Sequence, residues 1–139
     1  MPLDSSVALA AILLLPASLS AAVLTVSDIY DYGVLESLTA AAASGDSFAN
    51  DSSGRTFFIV NNGGAGSLTV TITPTVSTIF VPGQGNLQKN SGGGTVAAGT
   101  RRIFGPFPTT TYNDSNGRVT VTYSTNTSVT VNPFRVPAP

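Results

Sequence analysis

From Val26 onward, short apolar runs are separated by clusters of Gly, Asn, Ser and Pro, the pattern of short strands in a sandwich or barrel. It is clearest where Leu68, Val70 and Ile72 alternate with Thr69, Thr71 and Thr73. A period of two gives that strand one apolar and one hydroxyl face. Val119, Val121 and Tyr123 alternate in the same way with Arg118, Thr120 and Thr122, and Val129 and Val131 follow after a turn at Ser124 to Thr127. These two runs predict a closing antiparallel hairpin.

Ahead of these runs, Arg55 to Val60 reads as a buried strand around Phe57, Phe58 and Ile59, broken by Asn61 to Gly64. Glu36 to Ala43 reads as an extended strand with Leu38, Ala40 and Ala42 on one face. Ser77 to Val81 is a short strand closed by Pro82-Gly83, and Gln84 to Gly94 is expected to be a mobile surface loop that includes the Gly92-Gly93-Gly94 run. Pairing resumes at Thr95 to Ala97, and Arg101 to Phe104 forms a strand that Gly105 to Pro108 ends. Pro133, Pro137 and Pro139 are expected to stop further pairing, with Phe134 and Val136 anchoring the tail. The aromatics Phe57, Phe58, Phe104, Tyr112 and Tyr123 fall at strand positions and read as core. The fold expected is all-β: a single antiparallel β-sandwich, jelly-roll or Ig-like, with an apolar N-terminal arm.

The first residues break this pattern. Val7 to Leu15 is an unbroken apolar run, followed by Pro16 and by Ala17 to Leu24, so the chain divides into an arm over 1–25 and a sandwich over 26–139. As a secretory signal, the run has the right length and small residues at Ser18, Ser20 and Ala22, but Met1 to Ser6 carries Asp4 and no Lys or Arg. As a transmembrane helix it is too short and Pro16 interrupts it. An apolar run of this length needs cover, which favours an arm docked on a partner or a neighbouring subunit. Leu9, Ile12, Leu13, Leu14, Leu15 and Leu19 would make that contact, with Tyr30 and Tyr32, which lie beside Asp28 and Asp31, as further interface candidates.

Composition narrows the chemistry. Only 9% of the 139 residues are charged against 42% hydrophobic, so the polar surface must come from Ser, Thr, Asn and Gly. Cysteine and histidine are both absent, which removes disulfides, thiolate nucleophiles, imidazole bases and nearly all zinc chemistry. The net charge of −1 is unevenly spread: Asp4, Asp28, Asp31, Glu36, Asp46 and Asp51 precede every basic residue, and Arg55, Lys89, Arg101, Arg102, Arg118 and Arg135 follow. These charges are either separately solvated or paired, within a subunit or between neighbours. The basic residues are too few and dispersed for a nucleic-acid surface.

A hexapeptide pattern, Asn-Asp-Ser-x-Gly-Arg, occurs twice, at Asn50 to Arg55 and at Asn113 to Arg118. A calcium loop needs more oxygen ligands than either copy offers, so both read as tight turns whose Asx side chains bond the backbone. Both copies, and Asn126-Thr127-Ser128, also match the N-glycosylation sequon. Asp46 and Asp51 sit beside turn residues, where aspartate ordinarily caps, and the one lysine, Lys89, lies in a polar stretch. No catalytic constellation emerges, and the expectation is a chain that is not an enzyme and holds no cofactor or metal.

The order of these turn and strand signals carries a resemblance. Thr39 to Asp51, then Gly54 to Gly63, Val96 to Arg101, Gly105-Pro106-Phe107-Pro108, Tyr112-Asn113-Asp114, Gly117 to Tyr123 and Ser128 to Val131, is similar to small tailed-bacteriophage and prophage proteins of the capsid decoration (cement) family. It covers roughly residues 38 to 136, and the apolar leader falls outside it. The resemblance implies a virion structural protein on the capsid exterior that binds the major capsid protein, often as a homotrimer, with no nucleic acid or membrane as partner. The alternative of another class is an exported carbohydrate-binding or surface-adhesion β-sandwich whose leader is a signal segment.

Overall fold

A computed structural model of the chain describes residues 21–138. Sheet one carries β1 (Ala22–Leu24), β4 (Asp46–Ala49), β11 (Arg118–Tyr123), β6 (Leu68–Thr73) and β9 (Gly92–Val96), in that order. Sheet two runs β10 (Arg101–Phe104), β5 (Thr56–Asn62), β12 (Val129–Arg135) and β2 (Ser27–Asp28), with β3 (Thr39–Ala40) also on β12. A separate hairpin joins β7 (Thr78–Val81) to β8 (Gly85–Gln88), and α1 (Thr109–Tyr112) is one helical turn. Pairing is antiparallel except for the short β1–β4 and β2–β12 ladders. The architecture is an all-β sandwich.

The alternation seen in the sequence builds the core. Leu68, Val70 and Ile72 of β6 and Val119 and Val121 of β11 face Phe58 and Val60 of β5 and Val129 and Val131 of β12, all nearly or fully buried. Each such side chain contributes about 1.5–3 kcal/mol relative to exposure. Phe48 of β4 stacks on Phe58 across the two sheets at 5.0 Å, and Phe107 packs on Phe48 at 5.6 Å. Tyr112 then meets Phe107 edge-on at 5.9 Å, so α1 plugs one end of the sandwich.

Several expectations are corrected. β11 and β12 do not form a hairpin: β11 pairs with β4 and β6, while β12 pairs with β5 in the other sheet. Their inward valines meet across the core instead of lying side by side. The strand expected over Glu36 to Ala43 shrinks to Thr39–Ala40, and Ala41 is the buried residue, its N–H donating to Val129 O at 2.9 Å. The Gln84 to Gly94 stretch is not a loop, because Gly85–Gln88 pairs with β7 and Gly92–Val96 pairs with β6.

The glycines of β9 are required by close approach. A Cβ on Gly93, which has a φ of +106°, would lie 2.1 Å from Val70 O. One on Gly94 would meet the Arg102 guanidinium, which donates to Thr95 O at 2.9 Å and covers the Phe104 ring, closing the side of the sandwich between β9 and β10.

Pro133 sits within β12, opposite Phe58. The carbonyls of Val129 and Arg135 turn to the outer edge, accepting from Ala41 and Ile29, so the two-residue repeat turns Pro133 the same way. On that edge β3 covers Thr130 and Val131, and β2 covers Phe134 and Arg135. The missing N–H of Pro133 therefore falls in the gap, where no partner strand needs it. Among the described residues Ala22 is the first to join a sheet, and the boundary expected after residue 25 falls between β1 and β2.

Candidate interaction surface

The outer faces of the two sheets differ in chemistry. On sheet one, the outward residues of the inner strands are threonines, Thr69, Thr71 and Thr73 of β6 and Thr120 and Thr122 of β11, joined by Thr95 of β9, while edge strand β1 exposes Val23. On sheet two, the outward positions include Phe57 and Ile59 of β5, Ile103 of β10 and Phe134 of β12, and β10 places Ile103 directly beside Ile59. This explains the unalternated run Phe57 to Val60: β5 is apolar on both faces because both are covered.

The outer cover is a strap, residues 29–38. Ile29 N–H bonds Arg135 O at 2.8 Å and Gly33 N–H bonds Tyr30 O at 2.8 Å, which turns the chain back over the sheet. Glu36 then forms an ion pair with Arg101 of β10. A cavity of about 320 Å³ remains beneath, lined by Ile29, Val34, Phe57, Ile59 and Phe134. The strap turns other apolar groups outward: Leu35 is 88% and Tyr32 81% exposed, and Ile103 beside it is 60% exposed. Tyr30 and Tyr32 stack at 5.2 Å, so the two candidate tyrosines act as one aromatic block.

A second hollow, of about 430 Å³, adjoins the first through Phe57 and opens at the end of the sandwich, lined by Gly54, Arg55, Thr56, Phe57, Gly105, Pro106 and Val136. The two hexapeptide copies lie at this end. Asn50 Nδ2 donates to Asn113 Oδ1 at 2.7 Å and to Phe107 O at 2.9 Å, while Asn113 Nδ2 donates to Asn50 O at 2.7 Å. Asp51 accepts from Ser53, and Asp114 accepts from the N–H groups of Asn116 and Arg118. Both copies are thus Asx turns. Their amide nitrogens are engaged with each other, which leaves neither Asn50 nor Asn113 as a free sequon acceptor.

The acidic front pairs with the basic rear inside one chain. Arg135 bridges Asp28 at 2.7 Å and Asp51 at 3.0 Å, tying β2, the first hexapeptide turn and β12 together. Hydrogen bonds from Ser53, aided by Arg135, hold the Asp51 carboxyl below its ordinary value. On the other side of the molecule, buried Asp46 accepts from Tyr123 Oη at 2.7 Å and from Ala42 N–H at 3.2 Å, and its Oδ1 has no partner among the described residues. Burial, then the Asp46 hydrogen bond, pushes the Tyr123 phenol far above its ordinary value. Asp46 is fully buried, and the pair is read as structural.

Among the described residues no group of three or more His, Cys, Asp or Glu is placed to hold a metal ion, and no helix is long and apolar enough to cross a membrane. Leu9, Ile12, Leu13, Leu14, Leu15 and Leu19 lie outside the described residues. Of the aromatics expected in the core, Phe58, Phe104 and Tyr112 are buried there and Tyr123 packs partly against it, whereas Phe57 faces the strap. Sequence reasoning missed Val34, Leu35 and Ile103, which follow no clean periodicity that would mark them as a surface. Comparison with protein-family models, with curated proteins and with solved structures returns no match.

Proposed function

We propose that this chain is a non-enzymatic decoration subunit that docks on the outside of a phage head, binds the major capsid protein and acts as a homotrimer. The observation that carries the reading is the one-sidedness of the sandwich: a threonine-clad outer face on sheet one and an apolar, strap-covered outer face on sheet two. Exposed Leu35, Tyr32, Val34 and Ile103 gather on the second face. A patch of this kind marks a contact with protein.

The mechanism is passive. Burying a Leu or Ile side chain of this patch contributes about 1.5–3 kcal/mol before the costs of association, and repetition over many copies multiplies a small gain per copy. The threonine face stays toward solvent, where hydroxyls keep the particle soluble. The resemblance to capsid decoration proteins, carried by the order of motifs from Thr39 to Val131, supports the same reading.

The test is cosedimentation of the full-length chain with shells of the phage that encodes it. Leu35→Asp and Ile103→Asp, both at exposed positions, should each weaken binding at least tenfold while leaving the unfolding midpoint within a degree or two. Unchanged shell binding in both variants would move the contact off this face, and binding to polysaccharide in place of shells would sink the reading in favour of an exported sugar-binding module.

A further inference from the structure

The direction in which the chain enters the sandwich and the position of the end groove belong together. β1 runs parallel to β4, from Ala22 beside Asp46 to Leu24 beside Phe48. β4 continues to Asn50, whose amide reaches Phe107 and Asn113 at the end where Gly54, Gly105, Pro106 and Val136 form the groove. The chain therefore enters β1 from the opposite side, heading toward the groove end. For Val7 to Leu15 to reach the groove of its own sandwich, the connecting residues Pro16 to Ala21 would have to reverse and double back over a span of at most about 20 Å when fully extended. A second copy that brings its groove to the side where β1 starts needs no reversal.

The chemistry matches. Val7 to Leu15 is nine residues without a polar or charged side chain. The groove is walled by Phe57, Pro106 and Val136. Its one charged residue, Arg55, already donates to Pro137 O at the rim. A polar or anionic partner would find little to bind, whereas an apolar segment gains cover that both surfaces otherwise lack.

We infer that residues 7–15 of one copy occupy the Phe57–Pro106–Val136 groove of a second copy, so that subunits associate head to tail. A contact between two different patches of identical chains closes into a ring when its rotation allows, and three copies in a ring suit a threefold position. This inference rests on the decoration reading in that it names the contact that would hold its trimer together, and it places that contact at Phe57, beside the face proposed to meet the shell.

The absence of native cysteine makes the test clean. Full-length chains carrying Leu9→Cys, Ile12→Cys, Leu13→Cys or Leu14→Cys are each mixed with a chain carrying Val136→Cys, a position 46% exposed, and oxidised mildly. A disulfide between two different chains can form only between copies. At least one mixture should yield the mixed dimer at five or more times the level given by a Tyr32→Cys control in place of Val136→Cys. Native mass spectrometry of the full-length Leu13→Asp, Leu14→Asp variant should give a monomer where the parent chain gives a ring. Mixed dimers at the control level overturn the inference, as does a chain carrying both Leu13→Cys and Val136→Cys that forms only the disulfide within its own chain. Shell binding is read separately: loss of cross-links with shell binding intact removes the head-to-tail contact alone, and linked rings that ignore shells remove the decoration reading alone.

Discussion

Asn50 and Asn113, 63 residues apart in sequence, exchange hydrogen bonds: Asn50 Nδ2 donates to Asn113 Oδ1, and Asn113 Nδ2 donates to Asn50 O, each at 2.7 Å. Each opens one copy of the same hexapeptide, one leading into sheet two and the other into sheet one. The exchange therefore joins the two sheets at the groove end. Asn113→Ala removes both bonds and leaves the buried Asn50 amide with only its bond to Phe107 O, so it should cost about 2–3 kcal/mol in chemical denaturation with an unchanged denaturant slope. Asn116→Ala, in the same turn but exposed, should cost less than about 0.5 kcal/mol. Equal costs would contradict the locking role.

Tyr123 and Asp46 make a second prediction, through pH. The folded-state pKa of Tyr123 is raised above the ordinary value of 10.0. The folded state therefore holds the phenolic proton more tightly, and the stability this contributes is full below about pH 10 and is lost as pH rises above it. Tyr123→Phe should lower stability at neutral pH by about 1–3 kcal/mol, because Asp46 Oδ2 loses its phenolic donor. The variant should also lose stability less steeply than the parent above pH 10. Parallel alkaline slopes would show that Tyr123 is not the group responsible.

At the glycine-rich edge, Gly93→Ala should be among the most damaging single-methyl changes in the chain. The new Cβ would sit 2.1 Å from Val70 O at a positive φ, and the cost should be about 3 kcal/mol or more. Gly99→Ala also has a positive φ but open space around the new atom, and should cost about 1–2 kcal/mol. Thermal midpoints of the two variants separate close approach from backbone conformation.

Acid should weaken the junction between the turn and β12. The Asp51 pKa is lowered, first by Ser53 and then by Arg135, so its contribution is present above the ordinary value of 3.8 and is lost as pH falls below it. Asp51→Asn should flatten the acid limb of the stability curve below about pH 4. Because the pair is exposed, the change at neutral pH should stay below about 1 kcal/mol.

The elements legible in the sequence are those whose burial is one-sided. β6 alternates strictly because one face meets the core and the other meets water, and β10 and the Ser77 to Val81 strand were marked by their turn residues. The partner of β11 was not legible, because inward valines alternate identically in a hairpin and in two strands facing across a core. The β9 glycines read as a loop because only the folded chain brings Val70 O and Arg102 against them. The hexapeptide repeat was visible as two turns, but the bond between Asn50 and Asn113 arises from sheet packing. The strap has no period at all: Glu36 is held by Arg101, a contact between residues 65 apart that no local pattern encodes.

The most direct test of the account is cryo-electron microscopy of the virion to which the proposed role assigns this chain. The account predicts sandwich density on the head exterior, with Leu35, Tyr32 and Ile103 turned to the shell and the threonine rows of β6 and β11 turned to solvent. Shells without such density, or sandwiches whose threonine face meets the capsid while Leu35 and Ile103 point outward, would contradict it.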